Sequence, residues 1–237
     1  LMLTDVLLQQ NKLTEAAQAL ARIREQYDAT SVPVQILEGR LLVAEQRWSE
    51  AKQVLEQVRP MAMGSPDLVR QVDLYLGQCH AKLNEFDAQL EVNRRVLSDD
   101  PSSLAARAGA AQALISAGKA AEALAEFESI AGSLQRPQLA RLPQIWYPML
   151  QLRVNAESAK PEAERDWSQV DDLLDLLQEA GAVNPVQMAL LRAESLIRRG
   201  EKKAATDLLE EAAAASADPL VWAGLATLEL RTSGREA

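Results

Sequence analysis

The chain holds one cysteine and one histidine, and they are neighbours, Cys79 and His80. A thiol beside an imidazole supplies the ingredients of a nucleophile–base pair. Adjacent residues on a helix, however, point about 100° apart, so this spacing alone makes no tight dyad. A structural zinc needs about four nitrogen or sulfur ligands, and these two residues are the whole supply apart from carboxylates. Paired acids stand at Asp99-Asp100, Asp171-Asp172 and Glu210-Glu211. They fit solvated surface or the partners of helix N-termini. The basic run RRGEKK (198–203) falls at a turn and fits a solvated hairpin tip. No Gly-rich phosphate loop, nucleophile elbow or HExxH occurs. These residues predict no enzyme, no metal and no cofactor.

The bulk composition narrows the partner. The 237 residues carry a net charge of −9. That balance speaks against a nucleic-acid surface, which needs clustered Lys and Arg to displace counterions, and against an anionic membrane. No apolar run approaches the ~20 residues that span a bilayer. The opening LMLTDVLLQQ lacks the basic stretch of a signal peptide. Hydrophobic residues make up 48% but aromatics only 4%, a composition suited to closely packed helices.

The elements that position every residue come from a repeat. Six positions anchored on the small residue near the start of the repeated helix, Ala16, Ala51, Gln89, Ala123, Val170 and Ala205, are spaced by 35, 38, 34, 47 and 35 residues. Twelve residues before five of them stand small residues: Thr4, Gly39, Gly77, Ala111 and Ala193. Four residues after stand Leu20, Leu55, Asn93, Phe127, Leu174 and Leu209; seven after stand Ile23, Val58, Val96, Ile130, Leu177 and Ala212. Offsets of four and seven describe one face of a helix. Turns are marked by Gly118, Gly200, Gln10-Asn11 and Asn84-Glu85. Ser65-Pro66, Asp100-Pro101, Asn184-Pro185 and Asp218-Pro219 fit an N-cap followed by proline at the first helical position.

Each repeat is therefore a hairpin of two helices, A and B. The A helices are expected at 1–10, 32–45, 66–82, 102–116, 138–154, 185–199 and 219–232, and the B helices at 13–27, 48–59, 85–99, 119–131, 162–179 and 201–216. No strand is expected.

The pattern resembles the tetratricopeptide repeat family. It does so most in AARAGAAQALISAGKAAEALAEFESIA (105–131) and LYLGQCHAKLNEFDAQLEVNRRVLSDDP (74–101), the second with Leu76-Gly77, Phe86 and Pro101. Gln89 and Asn93 depart from it, standing where the family has an alanine and an aromatic. The resemblance implies an all-α, right-handed superhelical solenoid of six to seven hairpins. Its repeats would span approximately 1–30, 31–64, 65–101, 102–136, 137–183, 184–217 and 218–237, in a single domain over 1–237. Residue 1 falls inside an A helix and 232–237 reads as a turn and the start of a B helix. The expectation is a window from a larger protein.

In the family the A helices line a concave groove in three rows. Here the first row is Leu1, Ile36, Leu74, Ala108, Leu190 and Ala223; the middle row is Asp5, Arg40, Gln78, Gln112, Glu194 and Thr227; the third is Leu8, Val43, Ala81, Ile115, Ile197 and Leu230. The two-cation clamp by which some relatives hold a C-terminal carboxylate has no counterpart in these rows. Apolar rows around a polar one suit an amphipathic helix or an apolar extended segment of a protein partner. The alternative is that the rows pack A helix on A helix.

The fifth repeat breaks the pattern. Residues 136–174 contain Pro137, Pro143, Pro148 and Pro161, and three of the nine aromatics, Trp146, Tyr147 and Trp167. Pro148 is expected to interrupt or bend a helix, and 155–166 to form a lengthened turn. Trp146 and Tyr147 are either binding anchors or fill the volume left by a longer helix. The chain is thus expected to be a protein-binding scaffold. Alternatives are a docking arm of a larger enzyme or secretion assembly, and a spacer that self-associates through exposed terminal helices.

Overall fold

The computed structural model describes residues 2–216 and 218–233. These form 14 α-helices and one 3₁₀ turn, with no strand among the described residues. The N-terminal helices are α1 (Met2–Gln9), α2 (Leu13–Gln26), α3 (Val32–Ala44), α4 (Trp48–Met61), α5 (Pro66–Lys82), α6 (Phe86–Asp99) and α7 (Leu104–Ser116). Next come α8 (Ala120–Ser133), α9 (Arg136–Ala140), α10 (Pro143–Ala159), α11 (Ser168–Glu179), α12 (Pro185–Arg199), α13 (Lys202–Ala215) and α14 (Pro219–Ser233). The chain divides into two compact units, Leu1–Glu126 and Phe127–Ala237.

All six repeat positions are buried, none more than 3% exposed. So are the residues four further on, from Leu20 to Leu209. Ile23 and Ala212, seven further on, are half-buried. The turns explain the repeat of Gly118 and Gly200. Each lies five residues before its anchor with a positive φ, 74° and 91°. Asn11, Gln46 and Asn84 occupy the same place in the first three hairpins with φ of 56°, 61° and 59°. In these five hairpins a left-handed residue ends the A helix and leads into the B helix, and glycine takes that conformation without a steric penalty; in the fifth repeat α10 ends instead on extended Lys160.

In the N-terminal unit each helix from α1 to α7 packs on the next, and α1, α3, α5 and α7 also touch in succession. Two apolar clusters fill it. One joins Leu7, Ala16, Leu20, Val34, Leu37 and Leu41. The other joins Ile36, Leu55, Val58, Val72, Leu76 and Cys79, among others, from α3 to α6. In the C-terminal unit α12 packs on α13 and α14 around Ala193, Ala205, Leu209, Val221 and Leu225.

Two buried features cross helices. Arg59 of α4 grips the Asp73 carboxylate of α5 with Nε at 2.7 Å and a second nitrogen at 3.0 Å, while Arg95 of α6 adds a third contact at 3.1 Å. Gly39 of α3 lies so near α4 that an added Cβ would stand 2.6 Å from Leu55 Cδ2.

Capping follows expectation in part. Asn184 Oδ1 accepts from the Gln187 N–H at 2.8 Å and Asp218 Oδ1 from the Leu220 N–H at 2.9 Å. Ser65 precedes α5 without a side-chain cap. Asp100 caps no helix: its carboxylate accepts from the Ser102 N–H and hydroxyl, and α7 starts later, behind Ser103.

The fifth repeat differs more. The helix expected over 138–154 is two, α9 and α10, divided just before Pro143, which opens α10 at a position where its missing N–H costs nothing. Helix α10 runs through Pro148 to Ala159, so 155–159 are helical. The Pro148 ring deprives the Gln144 carbonyl, four residues back, of its donor. Gln144 is exposed, and water can serve it. The following loop is tied down: Glu157 accepts from the Asp166 N–H at 2.9 Å, and Arg165 donates to the Lys160 carbonyl at 3.0 Å. Trp167 stacks under the Arg199 guanidinium, 5.0 Å from its ring centroid.

Candidate protein-binding groove

Cys79 and His80 make no site together. Cys79 is fully buried, and burial pushes its thiol up to about 11, so at neutral pH it is protonated and shielded. His80 Nδ1 lies 2.6 Å from Glu85 Oε2, and Lys52 Nζ donates to the other oxygen at 2.7 Å. Lys52 first, and then His80, hold the Glu85 carboxyl below the usual carboxylate range. The trio fastens α4, α5 and the turn into α6. Among the described residues no group of three or more His, Cys, Asp and Glu side chains is placed to hold a metal, and no helix is long and apolar enough to cross a membrane.

The adjacent helices α3, α5 and α7 carry the expected rows of the N-terminal unit. A groove of about 710 Å³ runs between α5 and α7. Leu74, Gln78 and Gln112 line it as expected, with both glutamines exposed and Leu74 half-buried. Arg40 lies over the Tyr75 ring at 5.7 Å. Val43 and Ile115 are half-buried. Ile36 is a correction: it is 3% exposed and belongs to the core cluster, because α4 and α5 close over that turn of α3.

The groove is more polar than the rows predicted. Gln71 of α5 and Gln89 and Asn93 of α6 also line it. Asn93 fits against two glycines: a Cβ on Gly77 would stand 3.2 Å from its side chain, and one on Gly109 2.7 Å. Its Nδ2 donates to the Gln89 carbonyl at 2.8 Å. Gln89 Nε2 donates to the Gly109 carbonyl at 3.0 Å, while Gln89 Oε1 is buried with no partner. The signal for this arrangement lay in the departure of residues 89 and 93 from the repeat.

In the C-terminal unit the two aromatic candidates part ways. Trp146 is 5% exposed, its indole nitrogen buried without a partner, whereas Tyr147 is 49% exposed. Their rings meet edge to face at 6.0 Å. Trp146 therefore packs mostly inside, touching a groove that Pro137, Arg141 and Leu176 also line, while Tyr147 presents the larger surface. Gln151 of α10 donates to Glu194 of α12 at 3.2 Å, which sets the register that the irregular repeat concealed. Tyr147 stands one turn before Gln151 on α10, as Leu190 stands one turn before Glu194 on α12. Leu190 and Ile197 are half-buried, Leu190 against Gly224 of α14, where a Cβ would stand 2.7 Å away. The row positions Leu1, Asp5, Thr227 and Leu230 and the tail 234–237 lie outside the described residues or side chains.

Residues 7–70 match the model of the tetratricopeptide repeat family. No curated protein matches the chain. Among solved structures, a mutant form of MamA aligns at 18% identity with a TM-score of 0.51, covering 76% of this chain and 94% of its own. NprR in complex with its cognate peptide NprX aligns at 18% identity with a TM-score of 0.53, covering 97% of this chain and 70% of its own. A tetratricopeptide repeat protein from Parabacteroides merdae aligns at 15% identity with a TM-score of 0.46, over 95% of this chain and 96% of its own. The hairpin order, the buried repeat positions and the left-handed turns agree with the family match and with the folds of MamA and NprR: the chain is an all-α helical repeat protein of the tetratricopeptide type.

Proposed function

We propose that this chain is a non-catalytic scaffold that binds a polypeptide segment through the A helices of its N-terminal unit. The observation that carries this is the groove between α5 and α7, where exposed Gln78 and Gln112 face a concavity that the core leaves unfilled. The chemistry-bearing residues are spent on structure: Cys79 on the core and His80 on a fastening of helices. NprR, which shares the fold, was solved holding the peptide NprX. Selection of a phage-displayed random 12-residue library on the immobilised chain tests the groove. Enriched peptides should bind at least about 10-fold more weakly to Gln78→Arg/Gln112→Arg, and equally well to Glu91→Arg on the exposed face of α6. Enrichment of no peptide, or of peptides that ignore the double substitution, would count against it.

A second reading has its own observation. Leu3 and Val6 of α1 are 65% and 46% exposed, and Leu220 and Trp222 of α14 are 56% and 58% exposed. Apolar end faces of this kind are what a self-associating repeat protein would cover. Light scattering between about 5 and 500 µM should then show mass rising with concentration, the range being that of weak self-association; Trp222→Glu should abolish the rise. A constant monomer mass removes this reading.

A further inference from the structure

We propose that the break in the fifth repeat builds a second docking surface, on α9, α10 and α11, and that it takes an acidic segment of a protein partner: an aspartate or glutamate beside an apolar side chain. The surface lies wholly within the C-terminal unit and owes nothing to the α5–α7 groove. Three observations carry it. The first is how the surface arises. Residues 136–140 form one short helix, and Pro143 opens the next. Helices α9, α10 and α11 pack on one another, and a groove of about 780 Å³ remains between the α9–α10 corner and the C-terminal end of α11. Its floor is open at Gly181, where an added Cβ would meet nothing within 4 Å. Pro137, Pro143 and Ala180 along it are exposed. A small-molecule pocket encloses most of its ligand, whereas an open groove of this kind suits a length of polypeptide lying along it.

The second is charge. Arg136 and Arg141 line the groove against a single acid, Glu179. Arg136 stands 4.0 Å from Glu179, and the two side chains are 65% and 75% exposed, so that pair costs little to open. The Arg141 guanidinium makes no hydrogen bond or ion pair with the described residues. Helix α11 does not need either arginine at its end. The carbonyls of Leu176, Leu177 and Gln178 accept from the N–H groups of Ala180, Ala182 and Gly181. In a chain of net charge −9, two arginines over one loosely held acid are a local invitation to an anion. A guanidinium meets a planar carboxylate with two parallel hydrogen bonds.

The third is the wall between the charges. Ala140, Trp146 and Leu176 line the groove with 4%, 5% and 7% of their surface still open. Trp146 offers ring carbon there, since its indole nitrogen is covered. A carboxylate alone would leave this wall wet, so the arriving segment carries an apolar side chain next to its acid. Arginine and tryptophan are the side chains that most often anchor an interface.

The test uses the full chain and a phage-displayed random 12-residue library. The library is first depleted on immobilised Ala180→Trp, which fills the groove from an exposed position, and then selected on wild type. Depletion removes every peptide that binds elsewhere, the α5–α7 groove included, so the two surfaces fail or stand separately. The surviving peptides should share an aspartate or glutamate next to an apolar residue. An amidated synthetic copy, titrated by calorimetry, should bind about 10-fold more weakly to Arg136→Gln/Arg141→Gln, the size of a lost charge-assisted hydrogen bond. Changing the peptide's acid to its amide should cost the same on wild type and nothing further on that variant. Lys203→Gln, an exposed cation on α13, should bind like wild type. Should Ala180→Trp fail to fold by circular dichroism, Arg136→Gln/Arg141→Gln serves for the depletion, and the acid-to-amide exchange decides. Survival of no peptide, survivors without an acid, or equal binding by wild type and the double variant overturns the proposal.

Discussion

Leu55→Ala lowers the stability of the N-terminal unit by about 3 kcal/mol, the middle of the range for a buried leucine cut to alanine. Leu55 is 0% exposed and joins α3, α4 and α5 in one cluster. Its partner across the hairpin is Gly39. Glycine to alanine within a helix ordinarily gains about 1 kcal/mol. Here the new methyl would stand 2.6 Å from Leu55 Cδ2 and 2.8 Å from Cγ. Cγ is held close to the backbone and cannot swing aside. Overpacking of this kind costs about 1–3 kcal/mol, so Gly39→Ala is destabilising despite its propensity. The double variant Gly39→Ala/Leu55→Ala should be more stable than the two single losses added together, by about 1–2 kcal/mol, since the added methyl enters the void. Urea titration of the full chain by far-UV dichroism measures all three. Additive losses would show that the two positions do not meet.

Asp73→Asn costs about 2 kcal/mol. The carboxylate is 3% exposed and receives three bonds from two guanidinium groups. Removing one member of a fully buried ion pair costs about 3–5 kcal/mol, because a charge is left stranded. Here Arg59 and Arg95 are 29% and 35% exposed, so both reach water once released, and the loss falls below that range. Asparagine keeps the shape and changes only the charge and one acceptor, which separates the ion pair from packing. Arg59→Met should cost less, since Arg95 still serves the carboxylate. Because the pair is largely shielded, raising the salt should move the wild-type midpoint little. A loss under about 0.5 kcal/mol, the size of an exposed pair, would show that Asp73 holds nothing together.

The hairpins were legible because they rest on local physics. A helix face repeats every three to four residues, so a buried stripe shows in any sequence that folds this way. A left-handed turn needs glycine or a tolerant residue such as asparagine, so Gly118, Gly200, Asn11 and Asn84 mark the turns before any coordinates are seen. The fifth repeat was legible only as an exception. Four prolines announced a break, yet nothing local says that Pro143 starts a helix while Pro148 is carried inside one. That choice depends on whether the carbonyl deprived of its donor faces water, as it does at exposed Gln144.

The site was legible in its rows and not in its depth. Gln78 and Gln112 line the groove because each follows a small residue of the helix crossing, Gly77 or Ala111, by one step of about 100° around its A helix. Ile36 obeys the row spacing and is buried all the same, since α4 and α5 cover it. Trp146 and Tyr147 are neighbours in sequence and opposites in exposure, because the same step turns one inward and the other out.

By itself, then, the sequence determined the repeated helices and their pairing into hairpins, since these follow from residue type and period. Only the tertiary structure decided which surface is open. Gln89 and Asn93 read as flaws in a repeat until α7 brings Gly109 against them. Whether a polar side chain is misplaced or is part of a site depends on what stands across from it, and for Gln89 that neighbour is 20 residues away along the chain.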